Sequence, residues 1–498
     1  MSYLGLSAGF HDAAISIVDD AGNIVYAGHS ERYTGVKNDP ELCPKILHHT
    51  MNHEINHIAF YERPWMHNYQ QWRSGQKCYG PWTARGAVGK HMGLSYETLK
   101  NRHKPTISSY PHHLSHAAAG FQTSPFDWAA VVVIDAIGEM DTASIYRAWY
   151  DREGRAQYQR IWRQGYPHSI GLFYSAVTSK VGLRPMEDEY VTMGMAAYGD
   201  LYWKPELKRR VIEDQDSIRF KHNCHIGLPE GIFDNANKES LAASAQSLTE
   251  EMVMAIMMQA KLLTKCDNLV YMGGVALNCV ANSNLGELFD NVWIMPNPGD
   301  AGSSLGAAAL AYGKRLNWET PYLGTEIPGP YPVNKVLDEL LQNQIVGVAS
   351  GKAEFGPRAL GNRSLLADPR GDDIKDRVNE IKRRQRFRPF APAILAEYVD
   401  DYFVMPPNQP TSPYMQVVAQ CRQPDQFPAI IHYDGTSRVQ TVHKNCGSGL
   451  RELLEKWYFL TGCPMLLNTS LNIRGEPMVN TRLDADRFTH EYGIKVIS

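Results

Sequence analysis

The sequence lacks the features that would direct a chain to a membrane or an oxidising compartment. It has no run of about 18 apolar residues, the length needed for a membrane-spanning helix, and its first residues lack the positively charged region of a signal peptide. The eight cysteines are scattered and none forms a Cys-x-x-Cys pair, which argues against structural zinc and for reduced thiols. We therefore expect a cytoplasmic protein with no membrane partner.

The sequence also lacks an excess of charge of either sign. It has 50 Lys and Arg against 53 Asp and Glu, a net charge of −3, and 43% of its residues are hydrophobic. This balance argues against disorder and gives no global reason to expect nucleic acid binding, although local basic patches remain open. With 498 residues, the chain is long enough to form at least two domains.

The first informative stretch is rich in histidine. Its small apolar residues from Leu114 onward predict a helix, on which His112 and His116 lie one turn apart on the same face and His113 points elsewhere. Two imidazoles at this spacing either share a metal ion or are ordinary structural histidines. A predicted buried strand follows and ends at Asp135. Two histidines and an aspartate are a suitable ligand set for a divalent metal.

Two stretches share a strand-turn-strand pattern. Residues 3–20 predict two strands whose connecting turn contains His11 and Asp12, and residues 131–146 repeat the pattern around a turn that contains Gly138. Small residues between strands let backbone N–H groups approach a phosphate, but they also form ordinary turns. Two such hairpins facing each other are typical of the actin-like ATPase fold.

Two further segments end at small residues suited to a nucleotide. A predicted strand over residues 268–272 leads into Gly273, Gly274 and Asn278, and paired glycines let a base or ribose lie against the backbone. A second strand over residues 292–295 precedes Asp300 and Gly302. Asp300 is either a further metal ligand or a plain helix cap, and the segment read alone favours the cap.

The composition changes after a segment rich in Pro, Gly and Tyr, so we predict domains over residues 1–325 and 340–498. In the second domain, arginines and amides project from a loop shaped by Gly and Pro, which suits an anionic ligand. A predicted helix that carries the basic run 382–386 follows. Such a run is usually a solvated face, but the aromatic turn beside it favours a phosphate pocket. The candidate ligand-binding residues are Arg358, Asn362, Arg363, Ser364, Lys382, Arg384, Arg388, Arg438, Asn468 and Ser470.

Several of these segments resemble the O-carbamoyltransferases of the nodulation and antibiotic-tailoring type. The resemblance is carried by residues 273–278, 354–370, 387–392 and 467–477 and extends over nearly the whole chain. It implies a mixed α/β (α+β) protein with an N-terminal actin-like ATPase domain, which is a duplicated ribonuclease-H-like fold, and a C-terminal YrdC-like domain.

The resemblance also implies a chemistry. ATP and carbamoyl phosphate would form carbamoyladenylate in the C-terminal domain, and the carbamoyl group would pass to a hydroxyl in the N-terminal domain. His112, His116, Asp135 and Asp300 would hold iron(II), with Mg²⁺ or Mn²⁺ as alternatives. His11, beside Asp12, would be the general base, or else a structural hydrogen-bonding residue.

The acceptor is less defined. Many relatives read Glu-Tyr-Lys-Val-Met-Gly where this chain has Val191 and Thr192 after Tyr190, which predicts an acceptor other than an aminoglycoside or a chitin oligomer. We expect a small-molecule hydroxyl of a sugar, an antibiotic-like compound or a nucleoside, with a nucleic acid not excluded and a homodimer possible. Residues 65–104 predict a helical or irregular insertion near the acceptor.

Other functions remain open at this stage. One is a phosphotransferase or ATPase on the same scaffold with a regulatory C-terminal domain. Another is a noncatalytic metal- or nucleotide-binding partner of a tRNA-modifying assembly, although a binding module would not need two anion pockets. A metallopeptidase is disfavoured because the chain lacks a His-Glu-x-x-His motif.

Overall fold

The computed structural model describes residues 1–73, 77–78, 80–214 and 218–498. Within these ranges the N-terminal part alternates strands and helices. Its strands are β1 Ser2–Ser7, β2 Ala14–Asp19, β3 Ile24–His29, β4 Ile55–Phe60, β5 Thr106–Ser109, β6 Trp128–Gly138, β7 Asp141–Tyr150, β8 Ala156–Gly165, β9 Ile212–Asp214, β10 Arg219–Phe220, β11 Asn268–Met272 and β12 Asn291–Trp293. Its helices are α1 Glu31–Thr34, α2 Pro44–Leu47, α3 Pro64–Arg73, α4 Ala84–Met92, α5 Leu94–His103, α6 His112–Thr123, α7 Ile170–Lys180, α8 Glu189–Ala196, α9 Lys204–Val211, α10 Lys238–Thr264, α11 Cys279–Asn282 and α12 Asp300–Tyr312.

Two five-stranded sheets in this part have the same topology. The first has the order β3-β2-β1-β4-β5, and the second, read from its other edge, has the order β8-β7-β6-β11-β12. In each sheet the first three strands are antiparallel and the last two run parallel to the central strand. The repeat is the duplicated ribonuclease-H-like arrangement, so the predicted actin-like ATPase fold is confirmed.

Helices α6 and α12 pack against each other between the two sheets. Their contact is so close that a Cβ added to Gly306 would lie 1.7 Å from the carbonyl oxygen of Ser115. A Cβ added to Gly5 of β1 would lie 1.8 Å from the carbonyl oxygen of Ser304. Only residues without a side chain permit these contacts. As a result, the N-terminal ends of the two helices lie side by side.

The C-terminal part is organised around a six-stranded sheet in the order β21-β17-β22-β16-β14-β23. The strands of this part are β13 Tyr322–Ile327, β14 Ile345–Ala349, β15 Gly351–Glu354, β16 Arg363–Ala367, β17 Ala391–Leu395, β18 Phe403–Val404, β19 Val418–Cys421, β20 Thr436–Arg438, β21 Gln440–Val442, β22 Met465–Ser470 and β23 Val496–Ile497. The helices are α13 Val333–Asn343, α14 Ile374–Ile381, α15 Val399–Tyr402, α16 Leu450–Thr461 and α17 Arg482–Tyr492. The mixed α/β class is confirmed for both parts, and the YrdC-like assignment stays a prediction.

The predicted domain boundary lies in a segment that connects the two parts. Strand β13 spans the predicted end at residue 325, and it pairs antiparallel with β15 of the C-terminal part. It also contacts β3 of the first sheet. The predicted first domain therefore ends inside a strand that contacts both parts, and the predicted second domain begins inside α13.

The predicted insertion consists of helices α3 to α5, between β4 and β5. Residues 74–76 and 79 of this insertion lie outside the described residues. Among the helices in the described ranges, none has both the length and the apolar character needed to cross a bilayer.

The prediction that the basic run 382–386 lies on a helix is wrong. Helix α14 ends at Ile381, and Arg383 has a left-handed φ of 48°. The Lys382 side chain turns inward, where its Nζ donates to Asn472 Oδ1 at 2.9 Å and to Ser470 Oγ at 3.2 Å. These bonds hold the run as a turn that follows the helix.

We expect Gly306→Ala to destabilise the protein, because the new methyl group would collide with the backbone of α6. The expected loss is about 1–3 kcal/mol or more in the free energy of unfolding, measured by chemical denaturation followed by circular dichroism. Gly89→Ala in α4 is the matched control, since its Cβ would meet nothing closer than 3.8 Å. Equal effects of the two substitutions would contradict the proposed close contact.

Candidate metal centre and anion pocket

Four buried side chains meet where α6 and α12 begin. His112 and His116 lie in the first two turns of α6, Asp135 lies in β6, and Asp300 is the first residue of α12. Their candidate ligand atoms all lie within 4.8 Å of one another. We call this group the His/Asp cluster. The structure thus brings together all four residues that the sequence predicted as metal ligands.

The spacing inside the His/Asp cluster suits one divalent cation. The Nε2 atoms of His112 and His116 are 3.1 Å apart, and each lies 3.1–3.3 Å from a carboxylate oxygen of Asp135 and of Asp300. Neighbouring ligands of an octahedral ion with bonds of about 2.1 Å are about 3.0 Å apart. The four side chains therefore fit an ion with little rearrangement.

The far side of each imidazole determines which nitrogen faces the cluster. His116 Nδ1 lies 3.1 Å from the carbonyl oxygen of Pro298, so Nδ1 carries a hydrogen and Nε2 is the nitrogen that binds a metal once it loses its proton. His112 Nδ1 has no hydrogen-bond partner among the described residues, and the Glu62 carboxylate lies 3.7 Å from it. Sequence reasoning missed Glu62. His113 instead contacts Ser144 Oγ at 2.7 Å.

The charges of the cluster compensate one another. Burial disfavours every charge, but the Asp300 and Asp135 carboxylates raise the pKa of His112 well above its usual value and also raise that of His116. In turn the histidines hold the pKa of both aspartates below the usual value in spite of burial. Without metal, the two carboxylates therefore favour protonation of the imidazoles, which offsets part of the carboxylate charge. A divalent cation can replace these protons as the positive charge of the cluster.

Asp300 is not a helix cap. The cap position of α12 is Gly299, and no side-chain hydrogen bond caps this helix. The two carboxylate oxygens of Asp300 instead face His116 at 3.1 Å and His11 at 3.6 Å. The cap interpretation is therefore wrong, because the partners of this carboxylate come from distant parts of the chain.

His11 lies at the edge of the His/Asp cluster. Its Nδ1 contacts Asp12 Oδ2 at 2.9 Å, and its Nε2 lies 3.6 Å from Asp300 Oδ2. Burial opposes protonation, but the Asp300 and Asp12 carboxylates raise the pKa of His11 to about 9. In the protein alone His11 is thus protonated near neutral pH. A cation at the cluster would offset Asp300, which would lower this pKa toward the range of a general base.

Two glycines predicted to bind the nucleotide provide room for the cluster. A Cβ added to Gly138 would lie 2.5 Å from the His112 ring, and one added to Gly302 would lie 1.9 Å from the carbonyl oxygen of Asn297. These positions therefore need a residue without a side chain for close packing. Their contact with a nucleotide stays a prediction.

The glycine pair after β11 lies against β6. Gly273 has a φ of 94°, and a Cβ there would lie 2.2 Å from the carbonyl oxygen of Ile134. The backbone N–H of Gly274 donates to Asp135 Oδ1 at 3.2 Å, which helps orient that carboxylate. Asn278 caps α11. Nucleotide binding by these residues also stays a prediction.

A second group of polar side chains lies between the N-terminal and C-terminal parts. Burial and Arg438 lower the pKa of Arg358 to about 9, and burial and Arg388 lower that of Arg384 well below its usual value. The Arg438 Nε atom is buried without a hydrogen-bond partner. Among the described residues, no carboxylate forms an ion pair with these cations. We call the group the anion pocket; it consists of Arg358, Arg384, Arg388 and Arg438. Lys382 lies beside it, but its ammonium group donates to Ser470 and Asn472.

Aromatic rings line the anion pocket. The Arg388 guanidinium lies 4.7 Å from the centre of the Tyr190 ring, and that of Arg384 lies 4.2 Å from the centre of the Phe390 ring. Tyr190 comes from α8 of the N-terminal part, so the pocket has walls from both parts. Aromatic faces stabilise unpaired guanidinium groups and keep them in place.

Other residues predicted to bind the anion instead support the loop before β16. Arg363 is fully buried, and its guanidinium donates only to backbone carbonyl groups, which belong to Thr325, Ser350, Gly351, Asn362 and Asn480. All of its N–H groups are thereby engaged, which leaves none for a phosphate.

Polar side chains around this loop have similar supporting contacts. Asn362 donates to the Lys352 carbonyl, Ser364 Oγ accepts from the Gly361 N–H, and Asn468 donates to the Ala359 carbonyl. Ser470 Oγ contacts Lys382. Sequence reasoning missed the buried Glu354, whose Oε1 accepts from three backbone N–H groups of the loop. A carboxylate just before a Gly-Pro turn was the available signal.

The His/Asp cluster and the anion pocket share a wall. Residues 274–277 form a short 3-10 turn. The Gly274 N–H at its start donates to Asp135, and the Leu277 carbonyl at its end lies 3.4 Å from Arg358 Nη2. One turn of backbone therefore separates the two groups.

The chain is similar to known proteins over most of its length. A family model described as "Carbamoyltransferase N-terminus" matches residues 68–309, and one described as "Carbamoyltransferase C-terminus" matches residues 337–498. The uncharacterized protein sll1178 of Synechocystis sp. is 33% identical over 97% of this chain and 93% of its own length. Nodulation protein NolO of Bradyrhizobium diazoefficiens is 32% identical over 75% of each chain. Nodulation protein U of Sinorhizobium fredii is 29% identical over 93% of this chain and 92% of its own.

The duplicated sheets, the buried His/Asp cluster and the second α/β domain define a two-domain protein built on the actin-like ATPase fold. Both family models match in order along one chain. The chain therefore belongs to the carbamoyltransferase family, and the resemblance noted from its motifs is confirmed.

We expect metal binding at the His/Asp cluster to release protons, because the carboxylates raise the pKa of both imidazoles in the protein alone. Affinity should therefore rise with pH until the imidazoles lose their protons, and be independent of pH above that point. Titration calorimetry with Mn²⁺ in buffers of different ionisation enthalpy measures the proton count. His116→Ala should abolish binding, and substitution of the exposed His490 should not. Binding without proton release would contradict the charge compensation described above.

Proposed function

We propose that this protein is an ATP-dependent O-carbamoyltransferase. The anion pocket activates carbamoyl phosphate as carbamoyladenylate, and the His/Asp cluster is the place where the carbamoyl group passes to a hydroxyl of a small molecule, sugar or nucleoside. One observation supports the proposal most directly. This chain of the carbamoyltransferase family has a site with carboxylates for a cation and a site with unpaired cations for an anion, and one turn of backbone borders both.

The anion pocket has the chemistry that the activation step needs. ATP and carbamoyl phosphate are both strongly anionic, so bringing them together requires cations that are not already neutralised by carboxylates. Arg358, Arg388 and Arg438 are such cations. Their mutual repulsion in the empty pocket is relieved by the bound phosphates. Water cleaves carbamoyl phosphate to carbamate and inorganic phosphate, and a carbamate oxygen then attacks the α-phosphorus of ATP, which expels pyrophosphate as the adenylate forms.

The His/Asp cluster has the chemistry that the transfer step needs. Two imidazole nitrogens and two carboxylate oxygens suit iron(II), with Mn²⁺ or Mg²⁺ as alternatives, and an ion held by these four residues would supply a Lewis acid to the transfer step. His11 Nε2 faces this group and takes the proton of the attacking hydroxyl. Asp12 at His11 Nδ1 orients the ring.

The insertion borders the transfer site and helps select the acceptor. Arg63, just before the insertion, forms a salt bridge with Glu139 in the turn after β6. Both Nε and Nη2 donate to the carboxylate, and Nε lies 3.1 Å from Oε2. The neighbouring Glu62 faces His112. Helix α3 follows at once and exposes Trp65, Tyr69 and Trp72 on one face. These rings form a surface on which a flat acceptor, such as a sugar ring or a nucleobase, can stack.

We expect substitutions in the two sites to separate the half-reactions. Arg358→Ala should lower carbamoyl-phosphate-dependent pyrophosphate release by about 10²-fold or more, because the transferring phosphates lose a buried cation. His116→Ala should keep pyrophosphate release and lose carbamoylation of the acceptor. Arg209→Ala is the control, since Arg209 is exposed in α9 and pairs only with Glu206. Equal loss of both half-reactions in either variant would refute the two-site division.

The acceptor class is tested by mass spectrometry. The protein, charged with Mn²⁺ or iron(II), is incubated with ATP, carbamoyl phosphate and a library of sugars, aminoglycosides and nucleosides. We expect the mass increment of one carbamoyl group on a hydroxyl compound. Release of ADP without any need for carbamoyl phosphate would instead indicate a phosphotransferase or ATPase with a regulatory C-terminal domain.

A further inference from the structure

Arg32 is a buried cation with unused hydrogen-bond donors. It lies in α1, and its residue is 8% exposed. Its Nη2 donates to the carbonyl oxygen of Gly356 at 2.8 Å, but its Nε and Nη1 have no hydrogen-bond partner in the described part of the chain. Among the described residues, no carboxylate forms an ion pair with it. Three N–H bonds of this guanidinium are thus buried and unpaired.

The groups around Arg32 leave its free N–H groups without a hydrogen-bond acceptor. Burial and the Arg32 charge lower the pKa of His29 to about 3, which keeps that ring neutral. His29 Nε2 accepts from Asn297 Nδ2 at 3.1 Å, and its ring lies against Phe355. The Glu31 carboxylate is close enough for the Arg32 charge to oppose the rise of its pKa, but it accepts from the Asn38 N–H and forms no ion pair with Arg32.

A second buried guanidinium, that of Arg363, adds positive charge near Arg32. Burial lowers the pKa of Arg363 to about 10, with Glu354 opposing and Arg32 adding to the decrease. Arg32 and Arg363 therefore feel each other's charge, but Arg363 has every N–H bonded to a backbone carbonyl and Arg32 does not. An unpaired buried charge is costly, and proteins normally provide it with a counter-ion or a ligand.

The neighbours of Arg32 belong to segments that lead into both sites described above. Its partner Gly356 precedes Arg358 of the anion pocket by two residues. Asn297, which bonds the neighbouring His29, directly precedes Pro298, whose carbonyl contacts His116 of the His/Asp cluster. A small anion at Arg32 would thus be adjacent to elements of both sites.

We propose that Arg32 forms an anion-binding subsite for a phosphate group where the N-terminal and C-terminal parts meet. A guanidinium with unpaired N–H groups in a site that excludes water is suited to phosphate oxygens. The role of the subsite in catalysis rests on the proposed function: it holds the phosphate of the carbamoyladenylate between its formation at the anion pocket and its use at the His/Asp cluster.

The test measures phosphate binding by titration calorimetry at constant ionic strength. All titrations use the Arg358→Ala variant, in which binding at the anion pocket itself is weakened. Inorganic phosphate and AMP are titrated separately, since tighter binding of AMP would indicate a nucleotide phosphate and equal binding a free phosphate. We expect the addition of Arg32→Met to weaken one site by about tenfold or more, the loss expected for charge-assisted hydrogen bonds. Arg32→Lys should weaken it less.

A matched control separates a binding role from a structural one. Arg315 is partly buried and has all the partners that Arg32 lacks, namely two backbone carbonyls and Asp127. Arg315→Met should lower the thermal stability and leave phosphate binding unchanged. For Arg32→Met we expect the stability without phosphate to be kept and the stabilisation by phosphate to be lost. Loss of stability with unchanged phosphate binding would overturn the proposal.

A direct measurement covers the case in which Arg32→Met does not fold. Crystals of the unaltered protein soaked in tungstate should show an anomalous peak at the Arg32 guanidinium, and ordered water alone at that place would overturn the subsite. The pyrophosphate-release assay reports separately on the proposed function. Its failure, with phosphate binding that depends on Arg32 intact, would remove the catalytic role and leave the subsite.

Discussion

The close contact between α6 and α12 is the constraint on which the rest of the molecule depends. Because Gly306 lies against the backbone of Ser115, the two helices begin at the same place and bring His112 and His116 to Asp300. Such a group is stable in a buried place only when its charges balance. Protons on the imidazoles offset part of the carboxylate charge in the protein alone, and a divalent cation can replace them as the positive charge of the cluster.

The anion pocket follows the opposite principle. Its cations come from segments far apart in the C-terminal part, and no described carboxylate pairs with them, so their charge is left for a ligand. Tyr190 and the turn 274–277 contribute the N-terminal wall. Since the same turn orients Asp135 through the Gly274 N–H, a shift of one site would be felt by the other.

Sequence patterns of short range predicted the structure well. The duplicated strand-turn-strand pattern predicted the actin-like fold, and the i, i+4 histidines predicted one helix face, because both depend on neighbouring residues. Predictions about the partners of a side chain were weaker. Asp300 looked like a cap when its own segment was read alone, and only the family resemblance predicted it as a metal ligand. Arg363 looked like a phosphate ligand, yet it is bonded to carbonyls from four separate parts of the chain. No sequence pattern indicated a role for Glu62 or Arg32.

The sequence by itself thus determined the order of strands and helices, the family, and the residue types available for metal and phosphate chemistry. Only the tertiary structure decided which carboxylates join His112 and His116, which arginines remain unpaired, and where the two sites share a wall. The physical reason is that hydrogen bonding and burial are decided by groups hundreds of residues apart. The separation of Arg32 from Gly356 is 324 residues, and no local pattern records such a contact.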